Sequence, residues 1–164
     1  MALSTGTLAP DFTLSSKSRN GIKRIKLSDQ FANSNVLLLF VPMAFTPVCT
    51  SELCCITQDL SIYSSLSAVV YGISGDNPFA QEAWAQKEKI EITLLSDYDH
   101  TVAKAYGIAY DSFLPEMGLG MSGVAKRSAF LIDRRGYIRY AESHDDPKQV
   151  PDFHTIRNTL KLWQ

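Results

Sequence analysis

A continuous apolar run at residues 36–41 constrains the fold more than any other stretch of this sequence. Its residues, Val-Leu-Leu-Leu-Phe-Val, do not alternate with polar ones, which is typical of a strand buried on both faces of a sheet. Such a sheet needs other elements packed on each side. The run ends in Pro42, and Pro47 suits the first turn of a helix, where its missing N–H costs nothing. The sequence therefore predicts a buried strand, a short turn, and a helix over residues 47–63.

Strand and helix signals alternate along the rest of the chain. The dipeptide Asn20-Gly21 indicates a hairpin. The other predicted elements, in order, are the hairpin strands at 11–14 and 22–27, a helical turn at 28–31, a buried strand at 68–73, a helix at 78–88, a short strand at 92–95, a helix at 101–106, a long loop at 108–124, hairpin strands at 128–132 and 137–141, and a helix at 152–163. Asp99 is the predicted cap of the helix at 101–106.

Apolar residues at helical spacing indicate which side of each helix turns inward. The predicted inward faces are Leu53, Ile56, Leu60 and Tyr63 in the first long helix, Phe79, Ala83 and Trp84 in the second, and Phe153, Ile156, Leu160 and Trp163 in the last. Strand–helix–strand–helix followed by a hairpin and a helix is a βαβ unit joined to a ββα unit. We therefore expect an α/β fold of thioredoxin-like layout, with a central mixed sheet flanked by helices. An N-terminal extension and an insertion near residues 89–124 complete one domain over residues 1–164.

Charge and cysteine content exclude several classes of function. The net charge of −1 argues against nucleic-acid binding and against a basic membrane anchor. No signal-peptide pattern is present, and the longest apolar stretch, residues 36–45, is too short to cross a bilayer. The three cysteines fall between residues 49 and 55, so they do not form the framework of a secreted disulfide-rich protein. We expect a cytoplasmic protein in which the cysteine cluster is catalytic or metal-binding.

The chemistry is predicted at the start of the helix that follows the buried strand. Thr46 and Cys49 lie three residues apart there, so a hydroxyl and a thiol can face the same small volume. Free N–H groups and the partial positive charge of a helix N-terminus favour a thiolate. A zinc module of Cys49, Cys54, Cys55 and a histidine is an alternative, although the short paired spacing of zinc ligands is missing. A redox-inactive interaction domain is a second alternative.

The motif Pro42-x-x-x-Thr46-x-x-Cys49 resembles the active-site motif of the peroxiredoxins. A thioredoxin-type disulfide reductase would carry a second cysteine at position 52, where this chain has Glu52. The resemblance extends over nearly the whole chain. It includes Ala9-Pro10-Asp11-Phe12 and residues 94–97, 105–107, 127–133 and 136–139.

The resemblance implies a thiol peroxidase that needs no metal or cofactor. By it, Cys49 is the peroxidatic cysteine, which attacks a hydroperoxide and becomes a sulfenic acid. Arg127 matches the active-site arginine, whose donors can bind both the thiolate and the peroxide oxygen. Thr46 is expected to accept a hydrogen bond from the peroxide and to donate one to the sulfur. Pro42 is expected to shield the pocket from water, and Glu52 to orient the arginine.

The resemblance leaves two routes for reducing the sulfenic acid. Cys54 lies five residues after Cys49, the spacing of the peroxiredoxin Q (bacterioferritin comigratory protein) group, and would form a disulfide with it. Residues five apart on an intact helix are separated by a rise of about 7.5 Å, so this bond requires unwinding. Cys55 is the weaker candidate. In the alternative, typical of the alkyl hydroperoxide reductase E group, an external thiol reduces Cys49 directly.

The expected partners are a hydroperoxide and a thiol reductant. Thioredoxin, glutaredoxin or a low-molecular-weight thiol would recycle the enzyme, and related peroxiredoxins suggest a homodimer. A two-subunit mechanism, in which a C-terminal cysteine of the second subunit resolves Cys49, is excluded because no cysteine follows Cys55.

Overall fold

The computed structural model describes residues 1–164 and contains one seven-stranded mixed sheet. The strand order is β2-β1-β5-β4-β3-β6-β7. The strands are β1 Thr13–Ser18, β2 Gly21–Lys26, β3 Asn35–Phe40, β4 Ala68–Ser74, β5 Thr93–Ser96, β6 Ser128–Ile132 and β7 Ile138–Ser143. The helices are α1 Leu27–Gln30, α2 Pro47–Gln58, α3 Leu60–Ser65, α4 Pro78–Glu88, α5 Thr101–Ala105 and α6 Phe153–Lys161. The sheet and its flanking helices confirm the predicted α/β class.

Strand β3 lies inside the sheet, parallel to β4 and antiparallel to β6. All six of its residues are buried, as the unbroken apolar run predicted. Successive side chains of a strand point to opposite faces. Leu37 and Leu39 therefore enter one core, whereas Leu38 and Phe40 enter the other.

Different elements cover the two faces of the sheet. The first core contains residues of α2, α4 and α6, among them Leu53, Trp84 and Ile156. The second contains residues of α1 and α5 and Phe12 of the N-terminal extension. In the second core Phe130 packs against Phe40 and Tyr106, with ring centroids 5.9 and 5.1 Å apart. No helix has the length and apolar character needed to cross a bilayer. That residues 1–164 form one domain stays a prediction.

The N-terminal extension forms the predicted hairpin, but its strands are displaced. Strand β1 begins at Thr13 rather than at residue 11 and extends through polar residues to Ser18. It pairs with β2 over six residues and with β5 through Ser15 and Ser96. The polar half of β1 was missed because its only continuous partner is β2, and β2 is largely exposed. The loop at 108–124 contains a short 3₁₀ turn, Pro115–Met117.

The helix predicted over residues 47–63 is interrupted. Helix α2 ends at Gln58, and Asp59 has φ −95° and ψ 3°, outside the helical region, before α3 begins at Leu60. The Asp59 amide donates to the carbonyl of Ile56, three residues back, so the last turn tightens there. Ile56 and Tyr63 are buried as predicted, since both helices pack on the same core.

Two of the three residues predicted to face inward on α4 are exposed. Trp84 is fully buried, but Phe79 is 65% exposed and Ala83 also lies on the surface. The inward positions are Gln81 and Trp84. The polar Gln81 is buried because its amide donates to the carbonyl of Leu95, a partner that the hydrophobic pattern does not reveal.

The cap predicted at Asp99 is supplied by Asp97 instead. The Asp97 carboxylate accepts from the amides of Val102 and Ala103, at 3.1 and 2.8 Å. It reaches them because His100 adopts a left-handed conformation, with φ 58°, which turns the chain back over the end of β5.

We expect Phe130→Ala to lower the free energy of unfolding by about 3–5 kcal/mol, because it empties the space between Phe40 and Tyr106. Urea unfolding followed by circular dichroism measures this change. The matched control is Phe79→Ala, which removes the same ring from an exposed site and should cost less than about 1 kcal/mol. Equal losses in both variants would contradict the packing of Phe130 between Phe40 and Tyr106.

Candidate active site

The end of β3 determines where the site lies. The amide of Val41 donates to the carbonyl of Ile73, which extends the pairing with β4 by one residue, and the buried Pro42 follows. The chain then turns at Phe45, whose φ of 62° is left-handed and strained for a residue with a side chain. Helix α2 begins directly afterwards, with Thr46 at the N-cap position and Pro47 in its first turn.

Cys49 lies in the first turn of α2 and is 1% exposed. One Nη of Arg127 donates to its Sγ at 3.3 Å, and the other Nη donates to Oε2 of Glu52 at 2.5 Å. The Arg127 side chain is 2% exposed, and its remaining donors contact the carbonyl of Pro147 at 2.8 and 3.0 Å. The fold therefore places the Arg127 guanidinium in direct contact with both Cys49 and Glu52.

The buried charges of this cluster influence one another. Burial raises the pKa of Glu52 to about 7 against the opposing effect of Arg127, and Glu142 adds to the rise. Burial disfavours the charge of Arg127, but Cys49 and Glu52 outweigh it and raise the pKa of the guanidinium above its usual value. The second oxygen of Glu52, Oε1, is buried and has no hydrogen-bond partner. One cation is therefore shared by two acidic groups.

Thr46 makes a different hydrogen bond from the one expected. Its hydroxyl donates to the carbonyl of Met43 at 2.7 Å, and its side chain caps no amide of α2. A hydroxyl has a single hydrogen, so the expected donation from Thr46 to the sulfur of Cys49 is wrong for this structure. The oxygen of Thr46 keeps lone pairs that can accept a hydrogen bond.

The other two cysteines lie further along α2, and all three thiols are free. Cys54 is half-buried, and its Sγ donates to the carbonyl of Glu88 at 3.5 Å. Burial raises the pKa of the Cys54 thiol, and the negative charge of Glu88 adds to the effect. Cys55 is exposed. Helix α2 is continuous between Cys49 and Cys54, so the two thiols lie on different turns.

Three contacts around the site were not predicted. Asp76 accepts from the amide of Ala44, the indole of Trp84 donates to the hydroxyl of Thr50, and Pro147 binds Arg127 through its carbonyl. Asp76 follows β4 at the edge where the parallel strands end, and this was the available signal. The contacts of Trp84 with Thr50 and of Pro147 with Arg127 had no signal in the sequence, because each depends on packing between distant segments. No three His, Cys, Asp or Glu side chains are grouped so as to hold a metal ion.

Comparison with known proteins decides the family. The model of the AhpC/TSA family matches residues 5–141. The chain belongs to the AhpC/TSA family. It is 38% identical over 154 residues to a putative peroxiredoxin bcp of Haemophilus influenzae, covering 94% of this chain and 93% of the relative. It is 33% identical over 162 residues to a chloroplastic peroxiredoxin Q of Triticum aestivum, covering 99% of this chain and 67% of the relative.

A solved structure agrees with this assignment. The crystal structure of peroxidoxin BcpB from Mycobacterium tuberculosis matches with a TM-score of 0.82 and 29% identity, over 99% of both chains. The resemblance to peroxiredoxins and the thioredoxin-like layout are thus confirmed. The protein is a thiol-dependent peroxidase, an oxidoreductase that acts on a hydroperoxide with a thiol reductant.

We expect the stability of the wild-type chain to fall as pH rises from about 4.5 to about 7. The folded state holds the Glu52 proton more tightly than the unfolded state, so its contribution is complete below the unfolded pKa and lost above the folded one. A pKa rise of this size corresponds to a loss of about 3 kcal/mol. Glu52→Gln removes it, so its profile of unfolding free energy against pH should be flatter in this window.

The matched control for this experiment is Glu91→Gln, the same chemical change at an exposed position. Its profile should follow that of the wild type. Urea unfolding at a series of pH values measures all three chains. Superimposable profiles for Glu52→Gln and the wild type would show that Glu52 has no perturbed titration.

Proposed function

We propose that Cys49 is the peroxidatic cysteine and that Arg127 activates both the thiol and its substrate. The contact of the Arg127 guanidinium with Sγ of Cys49, at 3.3 Å, is the observation that carries this proposal. A cation beside the sulfur and the N-terminal end of α2 both favour negative charge on it. The near-complete burial of Cys49 and Arg127 strengthens the interaction, because little water screens it.

The reaction begins with attack of the Cys49 thiolate on the terminal oxygen of a hydroperoxide. An S–O bond forms as the O–O bond breaks, and the leaving oxygen takes up a proton as an alcohol or, from hydrogen peroxide, as water. The sulfur is oxidised to a sulfenic acid, and the peroxide is reduced. Negative charge moves from the sulfur to the leaving oxygen during this step, and Arg127 can donate to both positions.

Three neighbours support the reaction. Thr46 accepts a hydrogen bond from the peroxide, because its own hydrogen is used by Met43. Pro42 is buried next to the loop and keeps water from the sulfur. Glu52 fixes the guanidinium through an ion pair with Nη1, the nitrogen that does not contact Cys49. In these roles Thr46 touches the substrate, whereas Glu52 is a positioning residue.

Cys54 then resolves the sulfenic acid. Its thiolate attacks Sγ of Cys49, an S–S bond forms, and the sulfenic oxygen leaves as water after taking up a proton. On an intact helix the two Cα atoms would be about 8.7 Å apart, beyond the roughly 5.5–6 Å of a disulfide. The first turns of α2 must therefore unwind. Unwinding also frees Cys54 from the carbonyl of Glu88 and from the burial that raises the pKa of its thiol.

A dithiol such as thioredoxin or glutaredoxin reduces the disulfide and restores both thiols. If Cys54 stays in the helix, a low-molecular-weight thiol or a redoxin reduces Cys49 directly, and this is the alternative route. A reducing compartment such as the cytoplasm would supply either reductant. Both hydrogen peroxide and organic hydroperoxides fit the chemistry. A homodimer that forms beside the active-site loops stays a prediction.

We expect Cys49→Ser to lose hydroperoxide reduction by several orders of magnitude, because a serine hydroxyl is a far weaker nucleophile than a thiolate. The measurement is consumption of hydrogen peroxide in the presence of dithiothreitol. Cys55→Ser removes an exposed thiol from the same helix and should leave this rate unchanged. Substantial activity in Cys49→Ser would overturn the assignment.

We expect one equivalent of hydrogen peroxide to lower the mass of the monomer by about two daltons, through loss of two hydrogens in a disulfide. Peptide mapping should locate the bond to Cys49 and Cys54. In Cys54→Ser the same treatment should add one oxygen at Cys49 instead. A stable sulfenic acid in the wild type, or a mixed disulfide with added glutathione, would favour the external-thiol route.

A further inference from the structure

We propose that Asp76 is a positioning residue for the peroxidase reaction, because it fixes the direction of the Thr46 hydroxyl through the peptide unit that joins Met43 to Ala44. This inference rests on the proposed function, in which Thr46 accepts a hydrogen bond from the peroxide. It adds a residue of the β4–α4 loop, far from Cys49 in the sequence, to the machinery of the site.

The first link is the contact between Asp76 and the active-site loop. Oδ2 of Asp76 accepts from the backbone amide of Ala44 at 2.8 Å. A carboxylate binds an amide more strongly than a neutral acceptor does, by roughly a factor of two. This bond therefore anchors the loop between Pro42 and Thr46 to the end of β4.

The second link runs through the same peptide unit. The carbonyl of Met43 and the amide of Ala44 belong to one planar group, so fixing the N–H also fixes the C=O. That carbonyl accepts the hydroxyl hydrogen of Thr46 at 2.7 Å. Hydrogen bonds in such a chain polarise one another, so the bond from Asp76 makes the Met43 carbonyl a better acceptor. The hydrogen of Thr46 is thereby held away from the substrate.

The position of Asp76 is itself fixed by neighbouring side chains. The hydroxyl of Ser74 donates to Oδ2 of Asp76 at 2.7 Å and accepts from the amide of Gln81 at 2.9 Å. The hydroxyl of Ser96 donates to the backbone carbonyl of Asp76 at 2.6 Å. Ser74 and Gln81 are 2% exposed and Ser96 is 7% exposed. This buried polar network connects β4, β5 and α4 to Asp76, and the same carboxylate oxygen that accepts from Ser74 also accepts from the amide of Ala44.

The network explains how a strained loop can hold a precise geometry. Phe45, between the anchored peptide and Thr46, has a left-handed φ of 62°. Such a conformation costs about 1–3 kcal/mol and persists only where the surroundings impose it. The two hydrogen bonds on the Met43–Ala44 peptide lie directly before it. Without Asp76, the peptide can rotate, and the Thr46 hydroxyl can then present its hydrogen rather than its lone pairs to the peroxide.

The decisive experiment is a double-mutant cycle between Asp76 and Thr46. Every chain also carries Cys54→Ser and Cys55→Ser, so that oxidation by hydrogen peroxide in a single turnover reports Cys49 alone. Asp76→Ala should slow this oxidation at least about 10-fold, because small misplacements of a substrate-contacting group cost factors of this size. In the Thr46→Val background the same change should cost less than about 2-fold, because the hydroxyl that Asp76 directs is absent.

A second readout separates positioning of Thr46 from general disturbance of the site. The rate of Cys49 alkylation by iodoacetamide depends on the sulfur and Arg127 but not on peroxide binding, so Asp76→Ala should leave it within about 2-fold. If Asp76→Ala does not fold, Asp76→Asn serves in its place, since a neutral acceptor is the weaker anchor. The control is Asp97→Ala, which removes a buried carboxylate that accepts from two amides on the opposite face of the sheet.

Each outcome decides between the alternatives. The inference is overturned if Asp76→Ala oxidises at the wild-type rate, if its loss is equally large in the Thr46→Val background, if alkylation slows as much as oxidation, or if Asp97→Ala gives the same pattern. If the chain that carries only Cys54→Ser and Cys55→Ser is alkylated normally but does not react with hydrogen peroxide, the proposed function itself is overturned. Normal oxidation of that chain with no coupling between Asp76 and Thr46 would overturn this inference alone.

Discussion

A guanidinium buried beside two acidic groups is the interaction on which the site depends. A buried cation is costly unless it is paired and hydrogen-bonded. Arg127 meets this requirement by contacting Cys49, Glu52 and the carbonyl of Pro147. Glu52 and the carbonyl of Pro147 also hold the guanidinium in the position from which it contacts the sulfur of Cys49. In the proposed mechanism, the contacts that pair the buried cation also hold it beside the reacting sulfur.

Helix α2 makes this arrangement geometrically simple and also limits it. Cys49 and Glu52 lie three residues apart, so they share one face of the helix and meet the same arginine. Cys54 lies on a different turn and is bonded to the carbonyl of Glu88. The geometry that favours attack on a peroxide thus separates Cys49 from its proposed resolving partner. In the proposed cycle, the first turns of α2 alternate between a folded and an unwound state.

The edge of the sheet connects the scaffold with the chemistry. Strand β4 and the loop after it contact the segment after β3 twice, through the carbonyl of Ile73 and through the side chain of Asp76. Both contacts lie where the parallel strands end, the usual place for functional groups in open α/β sheets. The strained turn at Phe45 is held between this edge and α2. In the proposed mechanism, the orientation of the Thr46 hydroxyl therefore depends on residues that are remote in the sequence and touch no substrate.

The amino-acid sequence by itself determined the local elements and the chemical identity of the site. The unbroken run at residues 36–41 predicted β3, and the spacing of Thr46 and Cys49 predicted a reactive cysteine at a helix start, because these properties depend on neighbouring residues. The resemblance to peroxiredoxins added Arg127 to the predicted site. Only the tertiary structure showed that Phe79 is exposed and that Asp97, not Asp99, caps α5. Only the tertiary structure showed that the Thr46 hydroxyl donates to the carbonyl of Met43 and that Asp76 accepts from the amide of Ala44. These features depend on contacts between groups that the tertiary fold brings together. The spacing of apolar and polar residues along the sequence does not specify such contacts.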